Sequence, residues 1–127
     1  MAMGVKLDMF NTQSDGFALG PGEVIFKEGE PGRDMYVILD GEVELVIAGG
    51  QFEILGPGEP FGEMALIDNS PRAASAVTRT ACRLVAIPEE KFLALIQDSP
   101  YFGLQIMQVM AHRLRKMGAY AASRAQG

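Results

Sequence analysis

From Phe17 to Ile87 apolar and polar residues alternate in short runs, each closed by glycine, proline, asparagine or aspartate. Period-two alternation sets one face of an extended segment against a core. It predicts strands at 23–27 (EVIFK), 35–39 (MYVIL), 42–47 (EVELVI), 52–55 (FEIL), 75–80 (SAVTRT) and 83–87 (RLVAI). Strands this short, separated by this much turn chemistry, predict a small antiparallel sandwich or barrel. Asp40-Gly41 and Gly49-Gly50 tolerate the positive φ angles of two-residue turns, which predicts two hairpins. The pentapeptide LGPGE stands at 19–23 and again at 55–59, its Pro-Gly suited to a type II turn. This is one turn chemistry used twice, and two like corners suit a jelly roll of two similar halves.

After Ile87 the period lengthens to about 3.6 and predicts helices at 88–97 and 100–121. Pro88 with Glu89 and Glu90 is a helix start, as acids near the positive end of the dipole are stabilising. Phe92, Leu95 and Ile96 give that helix a buried face, and Ser99-Pro100 opens the longer one as N-cap and N1. In the second helix Leu104, Met107, Ala111, Leu114, Gly118 and Ala121 follow a heptad spacing, while Phe102, Ile106 and Val109 form a second apolar stripe. One reading of the heptad stripe is a homodimer seam through helix 100–121. The other lays the helix on its own barrel, and the pattern leaves both open.

The chain has 127 residues, which predicts one domain spanning 1–127 with its barrel at about 17–87. A formal charge of −5 with dispersed acids supplies no broad basic face for a nucleic-acid backbone. The opening MAMGVKLDMF has no signal-peptide apolar region, and no run approaches the roughly 18 apolar residues of a membrane span. A cytoplasmic location without a membrane span is expected. Cys82 and His112 are each the sole residue of their type, so multi-thiolate or multi-histidine metal sites lack ligands. Cys82 reads as a structural strand residue and His112 as a solvated surface histidine. No metal, no cofactor and no enzyme activity are expected.

One window concentrates chemistry. In FGEMALIDNSPRAAS (61–75), Gly62 turns the backbone ahead of one helical turn, whose first N–H groups have no intrahelical partner. Arg72 carries a planar fork matched to two oxygens of a phosphate, and Ala73 and Ala74 leave those oxygens room to reach backbone amides. A carboxylate beside a phosphate is repulsive, so Glu63 suits a sugar hydroxyl instead. The bland alternative is that Glu63 and Arg72 pair with each other on an exposed loop, worth about 0–1 kcal/mol.

This window resembles the phosphate-binding cassette of the cyclic nucleotide-binding domain family, which includes the bacterial catabolite activator, kinase regulatory subunits and nucleotide-gated channels. PGEVIFKEGEPGRDMYVILDGEVEL (21–45) and CRLVAIPEEKFLALI (82–96) resemble further parts of the same domain, so the resemblance covers about 19–117. It implies a mainly β fold, a double-stranded β-helix or jelly-roll barrel with a short phosphate-binding helix and two C-terminal helices. By position it implies that Arg72 holds the cyclic phosphate and Glu63 the ribose 2′-hydroxyl, with Gly62, Met64, Ala65, Ala73 and Ala74 giving backbone contacts or clearance. Ala73 stands where a threonine favours cyclic GMP, so cyclic AMP is the expected ligand. Ser75, Arg113 and Met117 are the candidates for base or lid contacts; Met117 and Gly118 replace the polar residues that the catabolite activator sets against adenine.

The resemblance also implies a cyclic nucleotide receptor that moves its C-terminal helices on binding and signals to an effector protein or within a dimer. Only the fifteen residues that end in GVKLDMFNTQSD precede Gly16, less than the helical segment common in the family. The nine residues after Gly118 have no room for a helix-turn-helix of about 60 residues, so no direct DNA binding is expected. A ligand-free interaction scaffold, and a domain excised from a channel or kinase, are the alternative readings.

Overall fold

The structure is a computed structural model and describes residues 16–126. The segment ahead of Gly16, and with it the expected lack of leading helix, lies outside the described residues. Eight strands and three helices follow in order: β1 Phe17–Leu19, β2 Val24–Phe26, β3 Asp34–Asp40, β4 Val43–Ile47, β5 Gly50–Leu55, β6 Pro60–Phe61, α1 Glu63–Asp68, β7 Ser75–Thr78, β8 Cys82–Pro88, α2 Glu89–Asp98 and α3 Pro100–Gln126. The six predicted strands and both long helices are present, with α3 running past its expected end. β1 and β6 were missed because two or three residues are too few to carry a period.

The strands form two antiparallel four-stranded sheets, ordered β1-β8-β3-β6 and β2-β7-β4-β5. Only β4 and β5 are consecutive neighbours; every other connection crosses from one sheet to the other, which is the jelly-roll arrangement. The expected barrel is not closed: each sheet keeps its own ladder and its own edges, and the two face each other as a sandwich.

That topology corrects one predicted hairpin. Asp40-Gly41 does turn the chain, with Gly41 at φ 91°, but β3 and β4 belong to different sheets, so the turn is a crossover. The second hairpin exists between β4 and β5, centred one residue earlier. Ile47 pairs with Gly50, and Ala48 and Gly49 form the loop at φ 52° and 80°. The Ala48 N–H donates to Glu28 Oε1 at 2.9 Å. The two LGPGE segments fold alike. Gly20 and Gly56 donate backbone N–H to the carboxylates of Glu23 and Glu59 at 2.6 and 2.7 Å, closing the same loop at two corners.

Two apolar clusters fill the molecule. Phe26, Ile38, Val43, Leu45, Phe52 and Leu84 pack between the sheets, whereas Met35, Val37, Val85, Ile87, Phe92, Phe102 and Ile106 lie between the β3/β8 face and the helices. β3 and β8 are therefore covered on both faces, which explains their nearly unbroken apolar sequences. Cys82 is buried and its thiol donates to Glu42 O at 3.2 Å, a structural role as expected.

β5 departs from its alternation. The register shifts opposite Leu45 and Val46, so Glu53 and Leu55 stand across from the inward-facing Leu45 and Val43, and Ile54 is exposed. The irregularity turns an acid inward. α3 uses both of its stripes differently: Phe102, Ile106 and Val109 are buried on the domain, while Leu104, Met107 and Leu114 of the heptad stripe remain exposed and Gly118 has open space beside it.

The two glycine turns separate backbone cost from overlap. A methyl group at Gly49 meets open space, whereas one at Gly41 would overlap Ala81 O and approach Cys82 Sγ to 2.7 Å. In urea denaturation Gly49→Ala should cost about 1 kcal/mol and Gly41→Ala at least about twice as much.

Candidate functional site

Gly62 sits in the left-handed region at φ 81°, ends the β6 approach and starts α1, whose last residue is followed by Asn69 at φ 59°. The six-residue helix between these reversals buries Glu63, Ala65 and Leu66. The returning chain then passes under the β2–β3 loop. Arg72 N donates to Glu30 O, and Arg72 O accepts from Gly29 N, both at 2.8 Å.

Gly62, Glu63, Met64, Ala65, Arg72, Ala73 and Ala74 line one concavity together with Phe26 and Leu45. It is small, with a cavity volume of about 30 Å³. Of the other sequence candidates, Ser75 Oγ accepts from Glu28 N at 2.9 Å and braces the same loop. Met117 packs against the inter-sheet cluster. Arg113 reaches the back of the site through Glu63.

The two arginines are buried in different ways. Arg72 is 5% exposed; its Cζ lies 4.1 Å from the Phe26 ring centroid and its Nη1 donates to Gly62 O at 3.1 Å. Nε has no hydrogen-bond partner. Burial lowers the Arg72 pKa from the ordinary value, and Tyr36, Asp34, Glu63 and Glu30 oppose that shift. The supporting ring belongs to an aromatic group: Phe26 lies 6.1 Å from Tyr36 and 5.9 Å from Phe61, and Tyr36 stacks on Phe61 at 5.4 Å. Burial, then Asp34, raises the Tyr36 pKa while Arg72 lowers it.

Arg113 on α3 is 4% exposed and amply partnered. Its Nη1 donates to both oxygens of Glu63, at 3.0 and 3.1 Å, and to Pro60 O at 3.2 Å, while Nε donates to Glu53 Oε1 at 3.3 Å. Glu63 thus pairs with an arginine of the helix, and the exposed Glu63–Arg72 loop pair is not what forms. Glu53 gathers His112 Nε2 at 3.5 Å and Lys116 Nζ at 3.6 Å as well. His112 is therefore partly buried beside an acid, against the expectation of a solvated histidine.

Sequence reasoning missed Phe26, Leu45 and Glu53. Phe26 and Leu45 read as ordinary core positions. Glu53 carried a faint signal, an acid inside FEIL, but only the register shift turns it inward. Among the described residues no cluster of acids, histidine and cysteine could hold a metal ion, and no helix is long and apolar enough to cross a membrane.

These features agree with the comparisons to known proteins. The family model of the cyclic nucleotide-binding domain matches residues 17–99, and the chain belongs to that family. The chain is 40% identical over 100 residues to the cyclic AMP receptor protein of Thermus thermophilus, covering 75% of this chain and 46% of that protein. A CRP-like cAMP-activated global transcriptional regulator of Mycobacterium tuberculosis is 35% identical over 100 residues, with 75% and 45% covered. The chain thus spans about half the length of these curated relatives. Among solved structures, the Thermus thermophilus catabolite activator protein superposes with a TM-score of 0.73 at 34% identity, over 88% of this chain and 56% of that one. The cAMP-bound PfPKA-R superposes at 0.67 with 26% identity, over 81% and 36%.

Removing Arg113 would strand the buried Glu63 carboxylate and leave Glu53 to His112 and Lys116. Arg113→Met should lower the unfolding free energy by about 3–5 kcal/mol in denaturant titration. Adding Glu63→Gln should recover much of that loss.

Proposed function

We propose that the chain is a cytoplasmic receptor module for a cyclic nucleotide, cyclic AMP in preference to cyclic GMP, and works as a sensor without catalysis. The observation that carries this reading is Arg72: a guanidinium withdrawn from water at the wall of a concavity, with Nε left unpartnered. A buried polar group without a partner costs free energy, and an anionic ligand supplies the missing acceptor. Relatives named for cyclic AMP support the choice of nucleotide. Ala73 offers no hydroxyl for a guanine base.

In this reading Arg72 takes the cyclic phosphate, the first amides of α1 and the small residues Gly62, Ala65, Ala73 and Ala74 allow close approach, and Met64 flanks the site. Glu63 takes the ribose 2′-hydroxyl. That hydroxyl competes with Arg113 for the Glu63 oxygens, and because Arg113 belongs to α3, capture of the sugar changes how the helix is held. The open stripe of Leu104, Met107, Ala111, Leu114, Gly118 and Ala121 carries the output to a dimer mate or an effector protein.

Calorimetry with cyclic AMP, cyclic GMP and linear AMP tests the ligand. Cyclic AMP should bind best, and Arg72→Ala should cost about 2–5 kcal/mol of affinity, as a desolvated phosphate loses its ion partner. Absence of heat with either cyclic nucleotide would leave an interaction scaffold on the same fold. Light scattering should find a dimer in at least one ligand state; a monomeric mass with and without cyclic AMP overturns the seam.

A further inference from the structure

We propose that Gly32, in the loop between β2 and β3, is a positioning residue that fixes where the Arg72 guanidinium stands. The inference rests on the reading of Arg72 as the anion-binding group. Gly32 lies forty positions before Arg72 and outside the cassette, and nothing in its local sequence marks it as part of the site.

The geometry is steric. The volume that a methyl group would occupy at Gly32 is already taken by Arg72 Nε, Cζ and Nη2. A methyl at Gly62 would lie 2.8 Å from the remaining nitrogen, Nη1. Every heavy atom of the guanidinium thus lies where a side chain at one of two glycines from separate loops would stand or crowd, while the Phe26 ring stands 4.1 Å from Cζ. The same β2–β3 loop also holds the arginine backbone, through Gly29 N to Arg72 O and Arg72 N to Glu30 O. Main chain and head group are both placed by residues 29–32.

Gly32 differs from Gly29 and Gly62 near it, which stand at φ 88° and 81°. Its φ lies outside the left-handed region, so alanine would meet no backbone strain there. The requirement is space alone, and the atoms filling that space end a long, flexible side chain. An added methyl therefore pushes the guanidinium off its seat while the two sheets stay as they are. Arg72 then loses its place over Phe26 and its aim toward the concavity, and a misplaced charge binds an anion poorly.

A double-mutant cycle isolates the effect. Gly32→Ala, Arg72→Ala and the double variant are titrated with cyclic AMP by calorimetry. Each is also unfolded thermally without ligand. Gly32→Ala should weaken binding by about ten-fold or more, and the double variant should bind no more than about two-fold worse than Arg72→Ala, since the methyl then has nothing to displace. Without ligand, Gly32→Ala should lower the unfolding midpoint when Arg72 is present and leave it nearly unchanged when Arg72 is alanine. This second cycle remains readable where Gly32→Ala is too unstable to titrate.

Wild-type affinity for Gly32→Ala alongside weakened Arg72→Ala overturns the positioning role and leaves the ligand reading intact. Losses that multiply in the double variant, or equal drops in midpoint in both backgrounds, also overturn it. Unchanged binding by Arg72→Ala overturns the ligand reading instead, and the thermal cycle then decides by itself whether Gly32 seats the arginine.

Discussion

A guanidinium taken out of water must find partners inside the protein, and this constraint organises the molecule around two arginines that meet it unequally. Arg113 is surrounded by acceptors: Glu63, Glu53 and the Pro60 carbonyl. It behaves as a structural ion, fastening α3 to the mouth of the sandwich. Arg72 has one carbonyl and one aromatic face, with Nε unpartnered. An amply partnered cation and an underpartnered one thus flank Glu63, and only the first is satisfied by the protein itself.

The folding pattern makes this juxtaposition inexpensive. Because the chain crosses between sheets at nearly every turn, loops distant in sequence end side by side. The β2–β3 loop reaches over the return from α1 and is stitched to it by paired backbone bonds, with Ser75 bracing the far side. The site is therefore a property of two loops and one helix face together. The aromatic group of Phe26, Tyr36 and Phe61 lies beneath it and joins the cation to the core.

α3 bridges the two halves of this design. One stripe is buried on the domain, Tyr120 donates its hydroxyl to Ile47 O at 3.0 Å on the β4–β5 hairpin, and Arg113 enters the site from behind. The opposite stripe stays apolar and open. The helix is thus tied to the candidate site on one face and keeps exposed apolar residues on the other.

Much was readable from residue order alone. Alternation marked the longer strands and the change of period marked the helices, because these signals are local and depend only on which face meets a core. The window 61–75 announced its own chemistry, since glycine, acid, arginine and alanines fall within one short stretch whose residues meet after a single turn. What residue order left undecided were the contacts made across distance. Asp40-Gly41 looks like a hairpin until the sheets show that it crosses between them. Glu53 looks outward until one irregularity in β5 reverses its side. The partner of Glu63 is an arginine fifty positions away, and the guanidinium of Arg72 lies against a glycine forty positions before it. Sequence by itself determined the longer elements and the residues of the 61–75 window, because propensity and periodicity act between near neighbours. Only tertiary structure decided which charges are paired and which is left waiting, because desolvation depends on everything that packs around a group.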